Sequence, residues 1–245
     1  VSAVTHAANA VNNANAAASA GPGHHIPAEI LLDYAAGTLP ESWSLVVACH
    51  LSLCPECRRD LQAAEAMGGA MLEAVQPAES VPPDLESLLQ RLGPQDGRST
   101  PASRAVNAPG QAASKPALPR PLAAYLPGPI ESLPWSWAGA GVRSVALPVP
   151  TGKGGMVSLL RIEPGRAMPV HTHRGEEMTL VLAGGFTDEF GSFTRGDVEI
   201  ADGDVLHQPV AMAGEACICL AVTDAPLSFR GRFGWLLNQW TRLFS

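Results

Sequence analysis

The hydrophobic period of this chain changes once, and that change limits it to a helical module followed by a sheet module. Up to Leu92 apolar residues recur at helical spacing. Beyond Ser132 they form short strand-like runs separated by Gly, Asp and Pro turns. Between Gly93 and Pro129 eight prolines interrupt either pattern, the mark of a semi-extended linker. Pro27 opens a first helix with Ile30, Leu31 and Tyr34 on one face, closed by Gly37. Pro40 and Glu41 open a second, carrying Trp43, Val46, Val47, His50 and Leu51. Pro55 opens a third with Leu61, Ala64, Met71, Leu72 and Val75, loosened by Gly68 and Gly69, and Pro83-Asp84 introduce a fourth with Leu85, Leu88, Leu89 and Leu92. The expected order is multidomain, α then β. Residues 1–23 form a disordered Ala/Asn-rich tail, 24–92 a helical bundle, 93–130 a Pro/Ala-rich linker and 131–245 an antiparallel β-barrel or jelly roll.

Charge is distributed unevenly over these parts. The 245 residues carry 16 Lys+Arg and 23 Asp+Glu, a net of -7. Residues 24–92 hold ten acidic and three arginine side chains, so this stretch alone has a net of -7. That balance argues against a protein that lives off nucleic-acid phosphates and suits a basic partner. Apolar runs are only a handful of residues long, far short of the roughly 20 that a bilayer-spanning helix needs. Five cysteines in two tight groups, with no signal-like start, lead us to expect a reducing cytoplasm, where clustered Cys and His more often hold metal than disulfides.

The first such group is His50-x3-Cys54-x2-Cys57. His50 and Cys54 stand one helical turn apart, Pro55 restarts the backbone, and Cys57 falls in a new first turn where the helix end favours a thiolate. A structural zinc site needs four N/S ligands. His25, just before the first helix, is the best fourth ligand because a helical hairpin would bring it alongside; His24 is a near rival and Cys49 a distant one.

The second group is His171-Thr172-His173-x3-Glu177, followed downstream by His207. Residues two apart on a strand face the same way, so His171 and His173 both point inward. Glu177 returns from the adjoining strand, with Glu176 as the alternative carboxylate. Three imidazoles and one carboxylate suit a mononuclear Zn, Fe, Mn or Ni site.

On these residues the chain resembles two families at once. His25 with His50-x3-Cys54-x2-Cys57, inside LLDYAAGTLPESWSLVVACHLSLCPECRRDL, resembles the zinc-binding anti-sigma domain, more narrowly that of ChrR-type anti-sigma factors, and the family spacing favours His25 over His24. Gly165-x5-His171-x-His173-x3-Glu177-x6-Gly184 matches the first cupin motif. The second is degraded, with Asp202 and Asp204 where Pro and Gly are usual and Ala211 in place of Asn. The ChrR type joins both domains through such a linker. The resemblance implies a zinc-bound helical bundle that sequesters an extracytoplasmic-function sigma factor. It also implies a cupin-like domain with a divalent metal, which releases the partner on singlet oxygen or organic hydroperoxide. The competing expectation is a metal-dependent cupin dioxygenase with a helical regulatory appendage. No direct nucleic-acid contact and no membrane are expected. Cys217 and Cys219 read as barrel filler rather than a redox pair, and the apolar segment from Trp235 to Phe244 as a cover for an open barrel end.

Overall fold

The computed structural model describes residues 21–76, 84–92, 117–151, 155–225 and 227–229. The expected tail up to residue 20, the linker over 93–116 and the C-terminal segment from 230 lie outside the described residues. Helices α1 (Ala28–Ala36), α2 (Glu41–Leu53) and α3 (Pro55–Glu73) follow one another closely, and α4 spans Leu85–Leu92. Pro27 and Pro40 cap the starts of α1 and α2. Gly37, at φ +71°, turns the chain out of α1 with its amide on the carbonyl of Tyr34, a conformation that glycine adopts without strain. Helix α3 continues without a break across Gly68 and Gly69. A short helix, α5 (Arg120–Ala123), precedes the sheets and buries Leu122 completely.

Every strand pairing among the described residues is antiparallel. Strands β1 (Ser136–Gly139), β2 (Val142–Ala146), β3 (Met156–Ile162), β5 (Glu177–Ala183), β8 (Val198–Ala201) and β10 (Cys217–Thr223) form one six-stranded sheet in the order β1-β2-β3-β10-β5-β8. A three-stranded sheet, β7 (Ser192–Thr194)-β6 (Gly185–Thr187)-β9 (Val210–Ala211), packs against its inner face. Strands β4 (His171–His173) and β11 (Leu227–Phe229) pair at the side. The result is a jelly-roll arrangement in which, among the described residues, the hydrogen bonding does not close into a continuous barrel.

Among the described residues, those up to Gly68 and those from Leu118 onward form one compact unit, and those within Gly69–Ala117 form another. In the first unit two cores lie on opposite faces of the large sheet. Inside, Ile162, Val181, Phe186, Phe193, Cys217 and Cys219 pack together. Outside, Leu159, Leu180, Leu182, Leu220 and Val222 share a single core with Ile26, Leu31, Trp43, Val46 and Val47, because α2 lies across β5 and β10. Strands covered on both faces lose their polar alternation, and that is why 178–182 and 217–222 read as nearly continuous apolar runs. In the second unit, α4 exposes Leu85, Leu88 and Leu89.

Candidate metal centres

The helical group forms where three chain segments meet. His50 lies in the last turn of α2. Cys54 ends that helix in extended backbone (φ -104°, ψ 107°), the conformation forced on a residue before proline, and Cys57 enters in the first turn of α3. His25 arrives from the segment ahead of α1. Its Nδ1 is 3.3 Å from Cys54 Sγ and 3.6 Å from Cys57 Sγ, and His50 Nε2 is 3.2 Å from Cys57 Sγ. All four ligand atoms fall within 4.8 Å of one another. Tetrahedral zinc with the usual Zn–N and Zn–S bond lengths would separate its ligands by about 3.3–3.8 Å, so these residues fit such an ion.

Electrostatics agree with that fit. Burial pushes the Cys57 thiol up to about 11, with Cys54 beside it adding to the effect, so two adjacent thiolates need a cation. Burial lowers the pKa of His50 and keeps its imidazole neutral, as a ligand must be. His50 Nδ1–H donates to the carbonyl of Gly196 at 2.8 Å, leaving Nε2 for the ion, and His25 Nε2 faces Glu56 at 3.5 Å. The rival residues lie elsewhere. His24 stacks on Phe193 with ring centroids 4.3 Å apart, and Cys49 is buried with its thiol raised to about 12 by desolvation and hydrogen-bonded to the backbone of Leu122.

The second group is assembled by a reciprocal backbone bridge. His171 and His207 exchange N–H···O bonds of 3.2 Å each, which sets their rings side by side. His207 Nε2 is then 3.2 Å from His171 Nε2 and 3.3 Å from His173 Nε2. All three nitrogens converge while the Nδ1 atoms face outer partners. His171 donates to the carbonyl of Pro169 at 2.8 Å, His173 faces Glu177 at 3.4 Å, and His207 meets Asp188 at 3.0 Å and Glu199 at 3.2 Å. For His171 and His207 this is the tautomer-fixing pattern of metal-binding histidines.

Glu177 therefore stands at the flank of the group and not among the converging nitrogens. Its carboxylate accepts from Thr179 Oγ1 at 2.9 Å, and burial raises its pKa. It lines, with Thr179, Phe186, Glu199 and Cys219, a cavity of about 30 Å³ beside the histidines, room for a water-sized ligand. Glu176 takes no part; its amide donates to Asp224.

Desolvation lowers His171 and His173 to about 4, so both are neutral donors near pH 7. His207 differs: burial opposes its charge, but Glu199 and Asp188 override burial and hold it at about 9. Burial in turn lifts Glu199 to about 7. An ion held at Nε2 of His207 would have to displace a proton.

Motif reading misses Asp188 and Glu199, the two carboxylates that face His207 Nδ1. For Glu199 the available signal was its place between Val198 and Ile200 in a strand; Asp188 had none. Cys217 and Cys219 sit in the inner core with their sulfurs 3.5 Å apart.

Comparison with known proteins shows what the chain is similar to. The family model described as the ChrR cupin-like domain matches residues 128–226. The anti-sigma-E factor ChrR of Cereibacter sphaeroides is 44% identical over 220 residues, covering 90% of this chain and 98% of that protein. A crystal structure of Rhodobacter sphaeroides SigE in complex with the anti-sigma ChrR matches with a TM-score of 0.67 and 41% identity, over 83% of this chain and 100% of the matched one.

Proposed function

This chain belongs to the ChrR family of anti-sigma factors, and from that premise we propose that it sequesters an extracytoplasmic-function sigma factor and releases it under oxidative stress. The observation that carries the reading is the convergence of His25, His50, Cys54 and Cys57 at three segment ends. Zinc held there supplies a cross-link that fixes the angle between α2 and α3. Helix α3 leaves Met67, Met71 and Leu72 exposed, between 54% and 74%, and α4 exposes Leu85, Leu88 and Leu89. Apolar side chains on an acidic background suit a partner with a basic, partly apolar surface.

His171, His173 and His207 hold a divalent metal in the β-domain, with zinc first and Fe, Mn or Ni as rivals, and Glu177, at the flank of the group in the same cavity, becomes its carboxylate ligand when its side chain turns from His173. That ion supplies a Lewis-acidic centre next to a space sized for a very small molecule. The chain acts as a cytoplasmic regulator and not an enzyme, with singlet oxygen or an organic hydroperoxide as the signal. No described helix is long and apolar enough to cross a membrane. The three-histidine group beside a cavity also favours a second reading, a cupin dioxygenase. Turnover of a small carbonyl substrate that is lost in Glu177→Gln would establish it.

Co-purification with the cognate sigma factor tests the proposal. The full chain should retain the partner, His50→Ala should lose it, and His207→Ala should retain it but fail to release it on oxidant. Loss of the partner by His207→Ala in unstressed cells would show that the sensor is not separable. Failure of the zinc-loaded wild type to bind would remove the anti-sigma reading altogether.

A further inference from the structure

The helical metal group is not self-sufficient in its outer contacts. Its two cysteines are placed by the α2–α3 junction, where Cys57 N–H points at Cys54 Sγ at 3.4 Å. Its two histidines are placed by the β-domain. His50 donates to the Gly196 carbonyl in a buried bond of 2.8 Å. The residues preceding His25 are gripped by Asp197, whose Oδ1 accepts from Gly23 N–H at 2.7 Å and His24 N–H at 2.9 Å. Asp197 Oδ2 accepts from the amide and hydroxyl of Thr194 at 2.7 and 2.9 Å, and its side chain is only 4% exposed. Val198 N–H completes the grip by donating to the His24 carbonyl at 3.3 Å. The approach is so close that a Cβ on Gly196 would lie 2.6 Å from Pro22 Cγ.

We propose that the Thr194–Val198 turn between β7 and β8 is the outer shell of the helical metal group, so that the β-domain completes the site that the helices begin. The proposal rests on the metal reading of that group. Partners of this kind fix which ring nitrogen faces the ion and where the ring stands, and their loss typically costs about 10–100-fold in metal affinity. The same turn runs directly into β8, where Glu199 holds His207 Nδ1 at 3.2 Å. A displacement of β8 at the three-histidine group therefore acts on both histidines of the helical group through one short piece of backbone.

The test uses the full chain reconstituted with Co²⁺. The thiolate-to-cobalt charge-transfer band reports the Cys54/Cys57 group, because the converging ligands of the second group are imidazoles. Asp197→Ala should weaken cobalt binding there by about tenfold or more and alter the ligand-field bands, and Asp197→Asn, which keeps one acceptor oxygen, should restore part of the affinity. Val157→Ala, a buried β3 position outside the turn, should lower the melting temperature without changing band or affinity. If Asp197→Ala binds cobalt with wild-type affinity and spectrum while melting earlier, Asp197 only stabilises the fold and the proposal is wrong. If Asp197→Ala does not fold, Asp197→Asn carries the same comparison. A wild-type chain that develops no thiolate band would overturn the metal reading and this proposal with it.

Discussion

Replacing Gly196 with alanine probes how tightly the segment before α1 is clamped to the β-domain. Two costs are expected. Gly196 has φ +97°, and an L-residue held at positive φ loses about 1–2 kcal/mol. The new Cβ would also stand 2.6 Å from Pro22 Cγ and 3.6 Å from Leu53 Cβ. Reaching an ordinary carbon–carbon contact means moving Pro22 by roughly 1 Å, which strains the adjoining bonds from Gly23 and His24 to the Asp197 carboxylate. Hydrogen bonds to a charged acceptor are worth about 1.5–3 kcal/mol each. Partial loss of the pair brings the total to about 3–5 kcal/mol. For a chain of this size that is a fall in melting temperature of roughly 6–20 °C. Gly214 supplies the control: it has φ +109° and open space around the Cβ position, so Gly214→Ala carries the backbone cost alone, a fall of roughly 2–8 °C. Thermal unfolding of the two variants, followed by circular dichroism, decides the matter. Equal falls would refute the clamp.

Further outcomes concern the core, pH and metals. Leu220, fully buried where α2 meets the sheet, should cost about 2–5 kcal/mol as Leu220→Ala; helical ellipticity and tryptophan fluorescence should still be lost together, and separate transitions would show that helices and sheet do not share a core. Burial opposes ionisation of Asp197, but its hydrogen bonds from Thr194, His24 and Gly23 prevail and hold its pKa below the usual carboxylate range. Its contribution is therefore complete above the unfolded value of about 3.9 and disappears as pH falls through the lower folded value. Urea unfolding across that acid range should show a shallower loss of stability in Asp197→Asn. Because His207 titrates at about 9, metal binding to the three-histidine group near pH 7 should release a proton and tighten as pH rises; calorimetry in buffers of different ionisation enthalpy measures this, and no buffer dependence would contradict the assignment. Cys217→Ser/Cys219→Ser should keep the oxidant response of the wild type, and its loss with the fold intact would make the pair a sensor.

Much of the candidate chemistry is legible in the sequence because it is local. His50, Cys54 and Cys57 fall within one helix end and the next helix start, so proline placement and the helical repeat together predict their convergence. His171 and His173 share a strand face by the same kind of short-range rule. His25 is harder. Its place before the first helix made it the best candidate with His24 a near rival, family spacing favoured it, and the structure shows why the two differ: Asp197 and Phe193 hold His24 away while His25 turns to the cysteines.

Other features depend on contacts far apart in the chain. Glu177 has the spacing of a ligand, yet the fold sets its carboxylate against Nδ1 of His173. Asp188 and Glu199 carry no motif and become partners of His207 only when β8 and the turn after β6 meet it.

The sequence by itself determined the order of helices and strands, the two clusters of metal-ligating side chains and the place of the acidic charge, because each is written in spacings of a few residues. Only the tertiary structure decided that α2 lies on the outer face of the large sheet, and that Gly196 and Asp197 support the histidines of a site more than a hundred positions earlier. A spacing rule reports which side chains share a turn or a face. Which faces are buried against each other follows from long-range packing: the apolar runs 178–182 and 217–222 required cover on both sides, without specifying what would supply it.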